Sequence, residues 1–219
     1  MNHSRLHRQR MTRFRRAGLY LVTSQVLSRG RSTEEIVIMA LAGGVRLIQL
    51  REKDMPISRL TKLAEKIRAM TKKKGALLII NDCLDLALAV GADGVHLGQD
   101  DLPVARARNI APDLIIGVST HSLKEALAAQ RAGASYINIG PLFPTKTKKW
   151  NEKFLGIQKM KQIASKIKIP FTVMGGIKAE HIPDLIRAGV KTIAVVTAVT
   201  AADNPRKAAK QLLALIRSG

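Results

Sequence analysis

Two acidic strand ends stand out in this 219-residue chain: Ile79-Ile80-Asn81-Asp82 and Val95-His96-Leu97-Gly98-Gln99-Asp100-Asp101. Each is an apolar run that breaks off in acids and amides. A parallel strand buried on both faces reads as continuous apolar residues, and polarity begins where it emerges. Two such strands with a helix-like stretch between them bring Asp82 and Asp101 to one rim. Paired carboxylates on a rim suit a hard divalent cation, and Mg²⁺ takes one or two carboxylates together with substrate phosphates. The chemistry indicated is that of an enzyme handling a phosphorylated substrate.

The elements that must position these groups repeat along the chain. A helical stretch ends in small residues plus glycine, and an apolar strand follows at once: Ala42-Gly43-Gly44, Val90-Gly91-Ala92-Asp93, Ala132-Gly133-Ala134 and Ala188-Gly189-Val190 all do this. Glycine past the last turn is the common helix stop, and a helix fed into a strand is half of a βαβ unit. Eight strands are expected: Leu19–Val22, Val45–Leu50, Leu77–Ile80, Gly94–Leu97, Leu114–Val118, Tyr136–Ile139, Phe171–Met174 and Thr192–Val196. Amphipathic stretches such as Ile57–Thr71 and Arg206–Ile216 alternate with them. This order predicts an α/β fold, a single-domain (β/α)8 TIM barrel. A doubly wound open sheet is the alternative, but no Gly-x-Gly-x-x-Gly follows a strand.

Barrel enzymes build their sites from the loops after the strands' carboxyl ends. Those loops carry Gln49, Arg51, Glu52 and Lys53; Asn81 and Asp82; Asp100 and Asp101; Ser119, Thr120 and His121; Thr145-Lys146-Thr147-Lys148; Gly175-Gly176; and Thr197 after Val196. Any one of them has a plain explanation. A lone Asp after a strand is commonly a helix cap, Glu52 can pair with a neighbouring cation, and His121 can cap the next helix. Their convergence on one face is what points to a site. The Gly175-Gly176 pair follows the seventh strand, where barrel phosphate sites lie and where backbone N–H groups can approach a phosphate. The stretch from Thr145 to about Gly156 is long enough to act as a lid.

Composition sets bounds. No apolar run reaches the roughly 18 residues of a membrane-spanning helix. The one cysteine, Cys83, excludes an internal disulfide and suits a reducing, cytoplasmic location. The net charge is +21, concentrated in residues 1–17 and 146–168, and a field of that sign attracts polyanions, either phosphorylated metabolites or nucleic acid. Residues 1–17 hold six arginines and no acid, which suits a flexible or partly helical basic tail better than a transit peptide, with 18–219 as the catalytic barrel.

The chain resembles the thiamine phosphate synthase family, thiamine-phosphate pyrophosphorylases of (β/α)8 fold. The segments that carry the likeness are Leu19–Thr23, Gln49-Leu50-Arg51-Glu52-Lys53, Ile80-Asn81-Asp82, Ala92–Asp101, Gly117-Val118-Ser119-Thr120-His121, Gly140–Lys148 and Gly175-Gly176-Ile177. The resemblance implies a transferase of thiamine biosynthesis. It would join 4-amino-2-methyl-5-hydroxymethylpyrimidine diphosphate to 4-methyl-5-hydroxyethylthiazole phosphate, or its carboxylated form, and release pyrophosphate. It implies Mg²⁺ on Asp82 and Asp101; the catalytic set Arg51, Lys53, Ser119 and Lys148; and diphosphate contacts from Arg51, Lys53, Asn81 and Lys148. Gln49 would meet the pyrimidine, with Thr145 and Thr147 on the thiazole side and Gly176, Val196 and Thr197 around its phosphate. Small phosphorylated substrates are the partners expected, without membrane and without nucleic acid as the main partner.

Three positions depart from the family pattern: Ser24 for an acid, Cys83 for an arginine, and Thr197 for a serine. None removes an expected ligand. Two other functions fit parts of the sequence. A thiazole tautomerase of the same fold would use a histidine and no metal, and His121 stands where that histidine would. A nucleic-acid-binding barrel would account for the charge, but aromatics are only 3% of the chain, too few to interleave with bases.

Overall fold

The computed structural model describes residues 4–145 and 154–218. Eight parallel strands close into a barrel in sequence order, β1 (Leu19–Val22) pairing with both β2 (Leu47–Leu50) and β8 (Ile193–Val195). Between them run β3 (Leu77–Asn81), β4 (Gly94–Leu97), β5 (Ile115–Thr120), β6 (Tyr136–Ile139) and β7 (Phe171–Val173). The crossover helices are α2 (Thr33–Ala42), α3 (Ile57–Lys73), α4 (Leu84–Ala89), α5 (Val104–Ile110), α6 (Leu123–Arg131), α7 (Gly156–Ala164) and α8 (Ile182–Arg187). Two more, the short α9 (Thr197–Thr200) and α10 (Pro205–Arg217), follow β8. The barrel predicted from the alternation is the one observed. Edges differ by one or two residues, and one shift matters: Ser119 and Thr120 belong to β5, so Ser119 is held by strand hydrogen bonding rather than by a loop.

Alternation along the strands sorts the apolar residues into two cores. Leu19, Leu21, Ile48, Leu50, Leu78, Ile80, Val95 and their like face the helices and pack against Ile36, Ile67, Ile182 and Leu212. Tyr20, Val22, Leu47, Leu77, Ile79, Ile115, Tyr136 and Ala194 form the second core inside the barrel.

The arginine-rich segment, expected to be a flexible or partly helical tail, is helical: Arg5–Arg15 form α1, whose His7, Met11 and Phe14 are buried. Their spacing, i, i+4 and i+7, puts them on one face, and Ser4 caps the helix by accepting from the His7 N–H at 3.0 Å. Met11, Phe14 and Ala17 join the inner core from below. Phe14 lies with its ring centroid 4.4 Å from that of Tyr136. Arginines fix the docking. Arg10 pairs with Asp93 at 3.5 Å and donates to the carbonyls of Asp113 and Ala92, while Arg13 donates to that of Gly75. The apolar periodicity beneath the charge decides how the segment docks, and Arg5, Arg8, Arg15 and Arg16 lie on the exposed face.

Phe14 is 1% exposed. Phe14→Ala should therefore destabilise the protein by about 3–5 kcal/mol, read by urea denaturation, whereas Arg15→Ala on the solvated face should stay within about 0.5 kcal/mol.

Candidate functional site

A cavity of about 710 Å³ opens at the carboxyl ends of the strands, with all eight strand ends contributing to its wall. Gln49, Arg51 and Lys53 come from the end of β2, and Asn81 and Asp82 from β3. Asp101 follows β4, Ser119 is in β5, Thr145 follows β6, Gly176 follows β7, and Val196 and Thr197 follow β8. Every expected site residue among those described lies on this one wall. Lys146, Thr147 and Lys148 lie outside the described residues.

The acidic corner is under electrostatic tension. Asp82 sits at φ +63°, a left-handed conformation uncommon outside glycine, with its N–H held by the His96 carbonyl at 2.8 Å. Burial pushes its carboxyl up to about 6, and hydrogen bonding and repulsion with Asp101 push the same way, against the pull of Lys53. Asp101 accepts from the Gly98 N–H at 2.6 Å. Two carboxylates this close, one of them biased toward keeping its proton, are a donor set that a hard cation would relieve. Among the described residues no third acid, histidine or cysteine joins them, so further ligands to such an ion would have to come from substrate and water. Beside them, burial lowers the Arg51 guanidinium, offset by Asp82, Glu52 and Asp54.

The opposite corner is backbone. Gly176 holds φ +63°, and a Cβ there would stand 2.3 Å from the Pro144 carbonyl oxygen. Only glycine can make that turn, and it bares peptide groups to the cavity.

Some neighbours have structural duties. Glu52 accepts from the Gln25 N–H and the Thr33 hydroxyl, tying β2 to the turn before α2. His121 sits at the rim with Glu125, which accepts from its N–H at 2.8 Å and lies 3.0 Å from its Nδ1. Cys83 precedes α4 half-buried, its thiol pushed up by burial and by Asp85, Asp82 and Asp101.

Residues 19–199 match the family model described as thiamine monophosphate synthase. The chain belongs to that family. It is 45% identical to the thiamine-phosphate synthase of Chloroflexus aurantiacus over 198 residues, 90% of this chain and 92% of the relative. With the thiamine-phosphate synthase of Archaeoglobus fulgidus it shares 41% identity over 199 residues, 91% of this chain and 93% of that one. In three dimensions it is similar to the thiamine phosphate pyrophosphorylase of Pyrococcus furiosus, at a TM-score of 0.86 and 37% identity, covering 94% of this chain and 98% of that one. The protein is thus an enzyme of thiamine biosynthesis, a transferase that forms thiamine phosphate by condensation. The isomerase and nucleic-acid readings are not favoured.

The structure adds residues to which the motifs assigned no role. His96 and Asn138 line the cavity floor, His96 as the one polar side chain of β4 and Asn138 beside Tyr136 as the amide in β6, each in an otherwise apolar four-residue strand. That interruption was the available signal: a polar group amid a strand buried on both faces must have a partner. Tyr136 owes its position to Gly117, its neighbour across β5 and β6. A Cβ on Gly117 would fall 2.1 Å from the tyrosine ring. Gly117→Ala should displace Tyr136 and cost about 1–3 kcal/mol through overpacking, visible as a lowered thermal midpoint.

Proposed function

We propose that the cavity forms thiamine phosphate by Mg²⁺-assisted dissociative substitution. The bond between the pyrimidine methylene carbon and the diphosphate oxygen breaks, and its electron pair leaves with pyrophosphate. The thiazole nitrogen then donates its lone pair to the methylene carbon. Such a reaction asks for charge stabilisation on the leaving group and a positioned nucleophile, with little proton transfer. The observation that carries the reading is the polarity of the cavity: the Asp82–Asp101 pair with Arg51 and Lys53 at one corner, and the bare backbone of Gly176 at another.

In this reading Asp82 and Asp101 hold Mg²⁺, which when bound neutralises charge on the diphosphate. Arg51, Lys53 and Asn81 bind the diphosphate, with Ser119 beside it, and Lys148 is assigned to it from the motif alone. Gln49 meets the pyrimidine. Thr145 and, by motif, Thr147 flank the thiazole, while Gly176 and the backbone of Val196 and Thr197 cradle its phosphate. Phosphorylated small molecules are the partners. A cytoplasmic location agrees with the free Cys83 thiol, and no described helix is long and apolar enough to cross a membrane.

The test is incubation of the protein with pyrimidine diphosphate and thiazole phosphate, with and without Mg²⁺, following pyrophosphate. Metal-dependent release is expected; metal-free isomerisation of a thiazole without pyrophosphate would overturn the assignment. Asp101→Ala should keep the fold and lower turnover at least about 10²-fold. The pH dependence of metal binding follows from Asp82. Its folded value of about 6 lies above that of an ordinary carboxyl, so the metal-free fold is favoured by that proton and loses stability as pH rises through about 4 to 6. The proton competes with Mg²⁺. Affinity by calorimetry should be flat above about pH 7 and fall below about 6, a decline that Asp82→Asn should flatten while weakening binding overall.

A further inference from the structure

Beneath the cavity runs an unbroken chain of buried hydrogen bonds. Gln49 Nε2 donates to the Tyr20 hydroxyl at 2.7 Å, and the Tyr20 and Tyr136 hydroxyls lie 2.9 Å apart. The Tyr136 hydroxyl lies 2.8 Å from His96 Nδ1, and His96 Nε2 lies 2.9 Å from the Ser119 hydroxyl. Strands β2, β1, β6, β4 and β5 supply one member each, so the chain crosses the barrel interior. Both ends line the cavity.

Donor counting gives this chain a direction. Tyr20 accepts from the Gln49 amide, so its single hydrogen goes to Tyr136. Tyr136 then gives its own hydrogen to His96 Nδ1. A histidine that accepts at Nδ1 and is neutral carries its proton on Nε2, and that proton goes to Ser119 Oγ. Ser119 thus has its own O–H left for the cavity, and Gln49 keeps Oε1 as an acceptor. We propose that Tyr20, Tyr136 and His96 are positioning residues that act as a one-way hydrogen-bond relay. The relay sets Gln49 as acceptor and Ser119 as donor toward a ring that offers an N–H and a ring nitrogen.

This rests on the substrate reading above, in which the aminopyrimidine is that ring, and it turns the hydroxyl of Ser119, placed there beside the diphosphate, toward the ring. It deepens that reading by giving roles to three side chains that cannot all touch substrate. The relay also has a specific vulnerability. Phe14 of α1 lies against Tyr136 and, at 6.5 Å between centroids, Tyr20, which keeps water from competing for the hydroxyls from below.

The experiment has a substrate-free arm and a kinetic arm. In the free wild-type protein, ¹⁵N spectra of His96 should show the Nε2–H tautomer, with Nδ1 unprotonated and hydrogen-bonded. Tyr136→Phe should abolish the hydrogen-bonded Nδ1 signature. The same variant should raise KM for the pyrimidine diphosphate about five- to tenfold, as expected for the loss of one oriented hydrogen bond, and move KM for the thiazole phosphate less than about twofold. If Tyr136 acts through Ser119, the Tyr136→Phe/Ser119→Ala double variant should be no worse than Ser119→Ala alone. Proton density on Nδ1 in the wild type would reverse the relay and overturn the proposal. Equal rises in both KM values, or full additivity in the double variant, would overturn it too, by reducing Tyr136 to a packing role. A wild type whose His96 shows the expected tautomer but which releases no pyrophosphate would sink the substrate reading and with it the kinetic role, leaving only the direction of the relay.

Discussion

The hydrogen-bonded layer inside the barrel is the constraint on which the rest turns. A barrel interior is normally closed by apolar side chains stacked in layers, and this one adds Tyr20, Gln49, His96 and Tyr136 to them, all less than 9% exposed. Each would be costly if left unpaired. The solution is that each satisfies the next, and the constraint spreads outward from there. Gly117 must lack a side chain so that Tyr136 can lie across the lumen. Phe14 must cover the two tyrosines from beneath. Ser119 must sit within β5, where its hydroxyl is fixed by strand register opposite Asn138.

Above that layer, the cavity wall divides between side-chain charge and bare backbone. The corner at β3 and β4 holds carboxylates and cations whose charges perturb one another, burial and Asp101 pushing the Asp82 carboxyl up against the pull of Lys53. The corner after β7 presents peptide groups that Gly176 leaves uncovered. Closing the sheet makes the two corners face one cavity, although 93 residues separate Asp82 from Gly176 in the chain. Parallel pairing in unbroken neighbour order closes the ring, and loop contacts such as the Phe143 N–H donating to the Gly175 carbonyl at 3.0 Å add to it.

Much of this was legible in the residues. Apolar runs ending in Asn81-Asp82 and Asp100-Asp101 marked emerging strands, because a strand buried on both faces has nowhere else to put a charge. Glycine stops before β2, β4, β6 and β8 marked the repeating unit. Two things were obscured. In α1 the arginines outnumber the apolar residues, and a face of three buried side chains is easily lost in that charge. In β4 and β6, His96 and Asn138 are polar residues within otherwise apolar strands, and nothing local names their partners. Those partners lie on other strands, and only the closed barrel brings them within hydrogen-bond range.

The placement of α1 also bears on how this very basic protein meets its anionic ligands. The helix closes the amino-terminal end of the barrel, so its outward arginines are separated from the cavity by the length of the strands, about 13–20 Å for runs of four to six residues. At physiological ionic strength the Debye length is about 8 Å, and charges at that end are screened before their field reaches the cavity mouth. On the proposed function, local cations such as Arg51, Lys53 and Lys178, which line the cavity, are left to steer incoming phosphates. The ionic-strength dependence of substrate capture is therefore set by a handful of charges at one end, and the net charge of +21 is a poor guide to it.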